Sequence, residues 1–195
     1  MSALAQPSDV TAALAREAEH ARRVAALFDA HYDAIWRTLR RLGIPDADAD
    51  DAAQRVFVVA SRRLDTMEQG HEGRYLYGIA VRVASELRRR APSRRELMDD
   101  ATLATIADDA PGPEEVLLEN EARDALDAAL CGMDDELRAV LVLVEIEGLS
   151  VADLAASLEV PPGTAASRLR RAREEFTASA RRVRARLEGT KGARR

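Results

Sequence analysis

The side chains best equipped for chemistry lie between Thr164 and Arg173, and the chemistry is anion binding rather than bond making. Ser167, Arg168, Arg170, Arg171 and Arg173 follow Thr164 closely. Guanidinium groups bind phosphates as charged forks and can hold a guanine edge bidentately. Groupings that would make or break bonds are not evident. His20, His31 and His71 stand apart with no metal-ligand spacing, and no phosphate-cradling glycine loop or nucleophile elbow occurs. Cys131 is the single cysteine, has no histidine near it in sequence, and reads as a small core residue. Asp46, Asp48, Asp50 and Asp51 lack the glycine spacing of a calcium loop and fit a helix start, where carboxylates favour the dipole. No catalytic residue, metal or cofactor is expected.

The elements that must position the arginines are legible. Ser150 with Asp153 has the form of a capping box, and Val151, Leu154, Ala155 and Leu158 fall on one helical face. Pro161, Pro162 and Gly163 end that helix, and Thr164 is expected to cap the next. In the second helix Ala165, Leu169, Ala172 and Phe176 make an inner stripe, leaving the arginines outside. A helix packed from behind that presents guanidinium groups suits a DNA major groove. An ordinary helical hairpin with a solvated basic face has the same spacing.

The whole chain reads as all-helical. Apolar residues make up 47% of its 195 residues but aromatics only 4%, so the cores must be built from Ala, Leu and Val. No apolar run approaches the roughly 20 residues that span a bilayer, no secretory signal is visible, and a lone cysteine fits a reducing cytoplasm. The net charge of −5 hides a segregation. Nine acidic and no basic residues lie between Glu96 and Glu121, whereas eleven basic and five acidic residues lie between Val151 and Arg195. A basic reader joined to an acidic middle is the consequence, with a larger partner expected to supply the rest of any DNA affinity.

Residues 1 to about 20 read as a frayed lead-in. A first helix is expected over Val24–Leu42, closed by Gly43 and Pro45, with His31, Tyr32 and Trp36 packing beside its stripe. A second runs from the aspartates through Ala53, Val56, Phe57 and Ala60 to Leu64. The third spans Arg74 to about Arg90, with Leu76, Ile79, Ala80, Val83 and Leu87 inside. Its Arg74, Tyr75, Tyr77, Arg82 and Arg88 to Arg90 interleave charge with rings, which suits single-stranded nucleic acid; packing tyrosines and solubilising arginines would look the same. An acidic linker containing Pro111-Gly112-Pro113 comes next, then a second unit of four helices beginning near Glu114.

Three stretches together resemble a known family: Asp48-Ala-Asp-Asp-Ala-Ala-Gln-Arg-Val-Phe57, Tyr75-Leu-Tyr-Gly-Ile-Ala-Val-Arg82 with Arg88 to Arg90, and Gly148 to Arg173. In order and separation they are similar to bacterial RNA polymerase sigma factors of the extracytoplasmic-function (ECF) class of the sigma-70 family. The resemblance covers roughly Leu27 to Leu187 and implies an N-terminal extension (1–23), a region-2-like domain (24–95), an acidic linker (96–113), a region-4-like helix-turn-helix domain (114–188) and a basic tail (189–195). It further implies a transcription initiation factor whose partners are core RNA polymerase, promoter DNA and an anti-sigma factor. Asp50, Asp51, Gln54 and Phe57 would meet the polymerase clamp helices. Arg74, Tyr75, Arg82 and Arg88 would hold the melted strand of the downstream promoter element. Thr164 and Arg168 would sit on phosphates of the upstream element, with Ser167, Arg170 and Arg171 nearer base edges and Arg173 alongside. The acidic linker would thread positively charged channels of the enzyme.

The chain departs from that pattern in places. Arg55 stands where the family usually has an acidic residue, Tyr75 replaces a tryptophan and Arg82 a common asparagine. Ala165 and Ala166 replace a valine and a basic residue, which implies an atypical promoter. The rival reading is a stand-alone helix-turn-helix regulator, which would bind duplex DNA without polymerase and leaves the first helical unit unexplained. An enzyme or a protein-only adaptor accounts for less of the chain.

Overall fold

The computed structural model describes residues 7–67, 70–90 and 113–192. Every regular element among them is helical: α1 (Pro7–Arg41), α2 (Asp46–Ser61), α3 (Glu72–Arg90), α4 (Pro113–Cys131), α5 (Asp135–Leu141), α6 (Val151–Ser157) and α7 (Pro162–Gly192). A 3₁₀ turn (Leu64–Thr66) succeeds α2, and a π turn (Val142–Ile146) continues α5. Helices α1 to α3 form one bundle and α4 to α7 a second. The acidic linker assigned to 96–113 lies outside the described residues up to Pro113, where α4 begins.

The first bundle is closed around Leu27, Ile35, Leu39 and Leu42 of α1, Ala49, Ala53, Val56 and Phe57 of α2, and Leu76, Ile79 and Val83 of α3. Many of the buried positions are alanine, so the helix backbones approach closely. The chain leaves α1 through Gly43 at φ +89°, a conformation that costs a Cβ-bearing residue. Gly43 N–H donates to Arg40 O and Ile44 N–H to Leu39 O, so a Schellman motif satisfies the last carbonyls and buries Ile44. In the second bundle Leu130, Met133, Val140, Leu143, Leu154, Ala165, Leu169 and Ala172 are buried. Asp134 caps α5 by accepting from the amides of Glu136 and Leu137.

Several expectations are corrected. The lead-in is helical from Pro7 rather than frayed. Its alanines have the highest helix propensity, and Arg23 anchors the helix by donating to Asp65 (2.8 Å) and to Leu64 O (3.0 Å). Cys131 is exposed, since its side chain at the end of α4 falls off the face that buries Leu130 and Met133. Thr164 does not cap α7. The helix already starts at Pro162, since proline at a first helical position forfeits only an amide that would lack a partner anyway. The left-handed residue of the preceding turn is Glu159 (φ 55°), not Gly163. Helix α7 also continues to Gly192, so it runs into the segment assigned to the basic tail without a break at residue 188.

Candidate nucleic-acid interface

The helix-turn-helix is built as its spacing requires. Ser150 Oγ accepts from Asp153 N–H at 3.1 Å and donates to Asp153 Oδ2 at 2.6 Å, which fixes the start of α6. That hydroxyl, and then Arg74, hold the Asp153 carboxyl below the usual carboxylate range. Ala165, Leu169 and Ala172 bury the inner stripe of α7, and Phe176 packs half-buried beside them. Ser167, Arg170 and Arg171 are exposed on the opposite side. Flanking groups are tethered within the same bundle. Arg168 is half-buried beside Glu136 (3.3 Å) and Arg173 pairs with Glu145 (2.7 Å), while Arg170 pairs with Glu174 one turn on (2.7 Å). These surface pairs are weak and exchangeable, so they leave the guanidinium groups of the face accessible. Thr164, half-buried in the first turns of α7, accepts at its main-chain oxygen from Ser167 Oγ.

On α2, Asp50, Asp51 and Gln54 are exposed. Phe57 is not available to a partner. Its ring is buried, 4.9 Å from Phe28 and 6.2 Å from Tyr32 between centroids, because its position falls on the apolar stripe facing α1. The exposed apolar side chains there are Val58 and Val59 (54% and 41% exposed), which spacing did not single out. Asp50 accepts from the Tyr32 hydroxyl at 2.7 Å; burial first, and then this carboxylate, push the phenol up to about 12. Arg55 lies 3.1 Å from Glu86 of α3.

Arg74, Arg82 and Arg88 of α3 are arranged differently from the arginines of α7. Arg74 binds Asp153 at 3.1 Å, Arg82 binds Glu159 at 2.7 Å and Arg88 binds Asp135 at 3.0 Å, all carboxylates of the second bundle. Arg88 also donates to Leu42 O. Tyr75 packs half-buried against the core. Tyr77 and residues that spacing did not point to complete this seam. Glu147 takes Arg41 at 3.2 Å and the Tyr77 hydroxyl at 2.9 Å, with Thr38 Oγ1 2.8 Å away. Burial, and then the Glu147 charge, raise the Tyr77 phenol well above its ordinary value. Burial likewise raises the Asp127 carboxyl of α4, opposed by the charges of Arg41 and Arg40 from the first bundle. One signal was in the sequence: Arg138 interrupts the otherwise apolar run from Leu137 to Val144, where a charge needs a reason.

The model of Sigma-70 region 2 matches residues 27–94 and that of Sigma-70 region 4 matches residues 123–176. The first covers α2 and α3 with most of the first bundle, and the second ends just past the exposed arginines. RNA polymerase sigma factor CnrH of Cupriavidus metallidurans is 30% identical over 181 residues, 88% of this chain and 95% of that one. ECF RNA polymerase sigma-E factor of Escherichia coli is 32% identical over 144 residues, 67% of this chain and 73% of that one. This chain belongs to the ECF class of sigma-70 factors. As an ECF sigma factor it directs RNA polymerase to promoters. ECF sigma factor SigE of Mycolicibacterium smegmatis is 32% identical over 147 residues, and the alignment spans 75% of this sigma factor but 57% of SigE. The fold agrees with that of the sigma factor RpoE solved with the anti-sigma factor NepR from Bartonella quintana (TM-score 0.57, 21% identity, 79% of this chain and 94% of that one). It agrees also with CnrH solved with the cytosolic domain of CnrY (TM-score 0.54, 24% identity, 82% and 92%). Among the described residues of this sigma factor no helix is long and apolar enough to cross a membrane, and no cluster of His, Cys, Asp and Glu could hold a metal ion.

Proposed function

We propose that this sigma factor reads the upstream promoter element with Ser167, Arg170 and Arg171, steadied on phosphates by Arg168 and Arg173. The observation that carries this is the start of α7, an exposed guanidinium face backed by buried Ala165, Leu169 and Ala172. Thr164 takes a place near the phosphates from within the helix rather than at its cap. Polymerase binds the α2 surface of Asp50, Asp51 and Gln54, with Val58 and Val59 supplying the apolar part that buried Phe57 supports from beneath. Arg74, Tyr75, Arg82 and Arg88 hold the separated strand of the downstream element once the carboxylates of the second bundle have withdrawn. The protein works in the cytoplasm and catalyses nothing itself. It opens DNA by binding the melted state better than the duplex. The first bundle acts as one promoter-binding domain, the second as another, and the acidic segment joins them. Because the structurally similar sigma factor RpoE was solved with an anti-sigma factor, an inhibitor of that kind is the expected regulator. Core polymerase supplemented with the purified chain should give discrete run-off transcripts from genomic fragments. A tight band shift on duplex DNA without polymerase would favour the stand-alone regulator instead.

A further inference from the structure

The arginine pattern at the start of α7 occurs twice. Arg170-Arg171-Ala172-Arg173 returns eleven residues later as Arg181-Arg182-Val183-Arg184, and Arg186 follows. Eleven residues of α-helix make three turns and about 20°, so the second set faces the way the first does, about 16 Å further along the axis. Burial follows the same register: Ala172 is buried and Val183 half-buried, whereas all six arginines of the two sets are exposed. Between the sets α7 is held from behind. Asp134 N–H donates to Glu175 Oε1 at 2.6 Å, and Phe176 packs on the core. Gly132, just past α4, comes so near that a Cβ there would lie 2.5 Å from the buried Ser179 Oγ. The two sets thus ride on one braced rod. The second lies outside residues 123–176, the span matched by Sigma-70 region 4.

From Thr177 to Leu187 the helix carries four arginines and no carboxylate. Surface charge that serves solubility alone mixes both signs. Arg184 meets Glu188 of its own helix at 2.8 Å on an exposed surface, a kind of pair that exchanges readily. A major groove is about 12 Å wide. With the first set over base edges, a set about 16 Å onward has passed the groove wall and meets the phosphates that border it. Guanidinium forks suit those oxygens. We propose that Arg181, Arg182 and Arg184 form a second duplex-binding site, which clamps the sugar–phosphate backbone beside the upstream element without reading its sequence. The inference rests on the proposed function, since the start of α7 must lie on the duplex for the second set to reach its backbone. The first set chooses the promoter and the second sets how firmly it is held. In a chain of net charge −5, such a local positive site lends DNA affinity that the field of the whole protein opposes.

The test uses the full chain assembled with core polymerase on duplex promoter DNA. A variant combining Arg181→Ala, Arg182→Ala and Arg184→Ala should keep its helical circular dichroism and its affinity for core. Its promoter affinity should fall, and the slope of log affinity against log salt should flatten by roughly 2 to 3, since each neutralised phosphate contributes about 0.9. The preference for a matched over a mutated upstream element should persist. Combining Arg181→Lys, Arg182→Lys and Arg184→Lys should leave the wild-type slope in place, because a phosphate accepts either cation. Ethylation interference should mark phosphates beside the element for the wild type and not for the alanine variant. An unchanged salt slope and interference pattern would overturn the second site. So would a loss of core affinity in the absence of DNA, which would assign the face to polymerase. If Arg171→Ala left promoter preference intact while the triple alanine variant flattened the slope, the base-reading role would fall and the backbone site would stand.

Discussion

Two helix faces of this molecule are rich in arginine, and they end up in opposite situations. On α7, Arg170 and Arg171 point to solvent above a stripe of alanine and leucine, and the carboxylates that touch the face come from the same bundle. On α3, Arg74, Arg82 and Arg88 meet Asp153, Glu159 and Asp135 of the other bundle. The contrast teaches that a basic helical face is not in itself a binding surface. What decides is whether the nearest negative charge is part of the same rigid body or can leave with another one.

The largest effect should come from the core that holds both faces in place. Leu154 is fully buried in α6, the helix that lies between α7 and α3. Leu154→Ala should cost about 2–5 kcal/mol, measured by urea denaturation, and should disturb the upstream and downstream contacts together. Next is the open face. Arg171→Ala should lose about 1–3 kcal/mol of discrimination at the upstream element, read from run-off transcription on matched and mutated promoters. An unchanged promoter preference would remove Arg171 from the base-reading set. Smaller still is a rim pair. Glu159→Gln frees Arg82 from an exposed partner (55% and 72% exposed side chains), and should shift stability by no more than about 1 kcal/mol. If it instead destabilised the chain as much as Leu154→Ala, the rim would not be the exchangeable part of the seam.

The open face was legible because everything that makes it is local: a cap at Ser150, prolines at the turn and an apolar stripe at helical spacing lie within one short stretch. The seam was not, because Glu147 finds Tyr77 at a separation of 70 residues and Thr38 at 109. No periodicity encodes that pairing. Phe57 shows a subtler limit. The family pattern marks its position, but the same residue lies on the stripe facing α1, and burial wins over exposure for a ring that can stack on Phe28 and Tyr32. Pro162 and Glu159 mark another: three turn-forming residues in a row indicate a turn without saying which of its residues takes the left-handed conformation.

The titration of the seam offers the smallest and most specific comparison. The Tyr77 phenol, and on α1 that of Tyr32, titrate above their ordinary value in the folded chain. A group whose folded pKa is raised contributes stability that is intact below its unfolded value, near pH 10, and that disappears as pH climbs through the folded one. Thermal unfolding from pH 9 to 12 should therefore fall more gently for Tyr77→Phe and Tyr32→Phe than for wild type. Only Tyr77→Phe removes a hydrogen bond between the two bundles, because Tyr32 hydrogen-bonds within the first.

Transcription with purified core RNA polymerase tests the account most directly. With the chain added, discrete promoter-dependent transcripts should appear, and Arg171→Ala and Arg74→Ala should each reduce them, the first by weakening upstream recognition and the second by impairing strand opening on a duplex but not on a premelted template. Core polymerase that neither binds the chain nor changes its start sites in its presence would contradict the account.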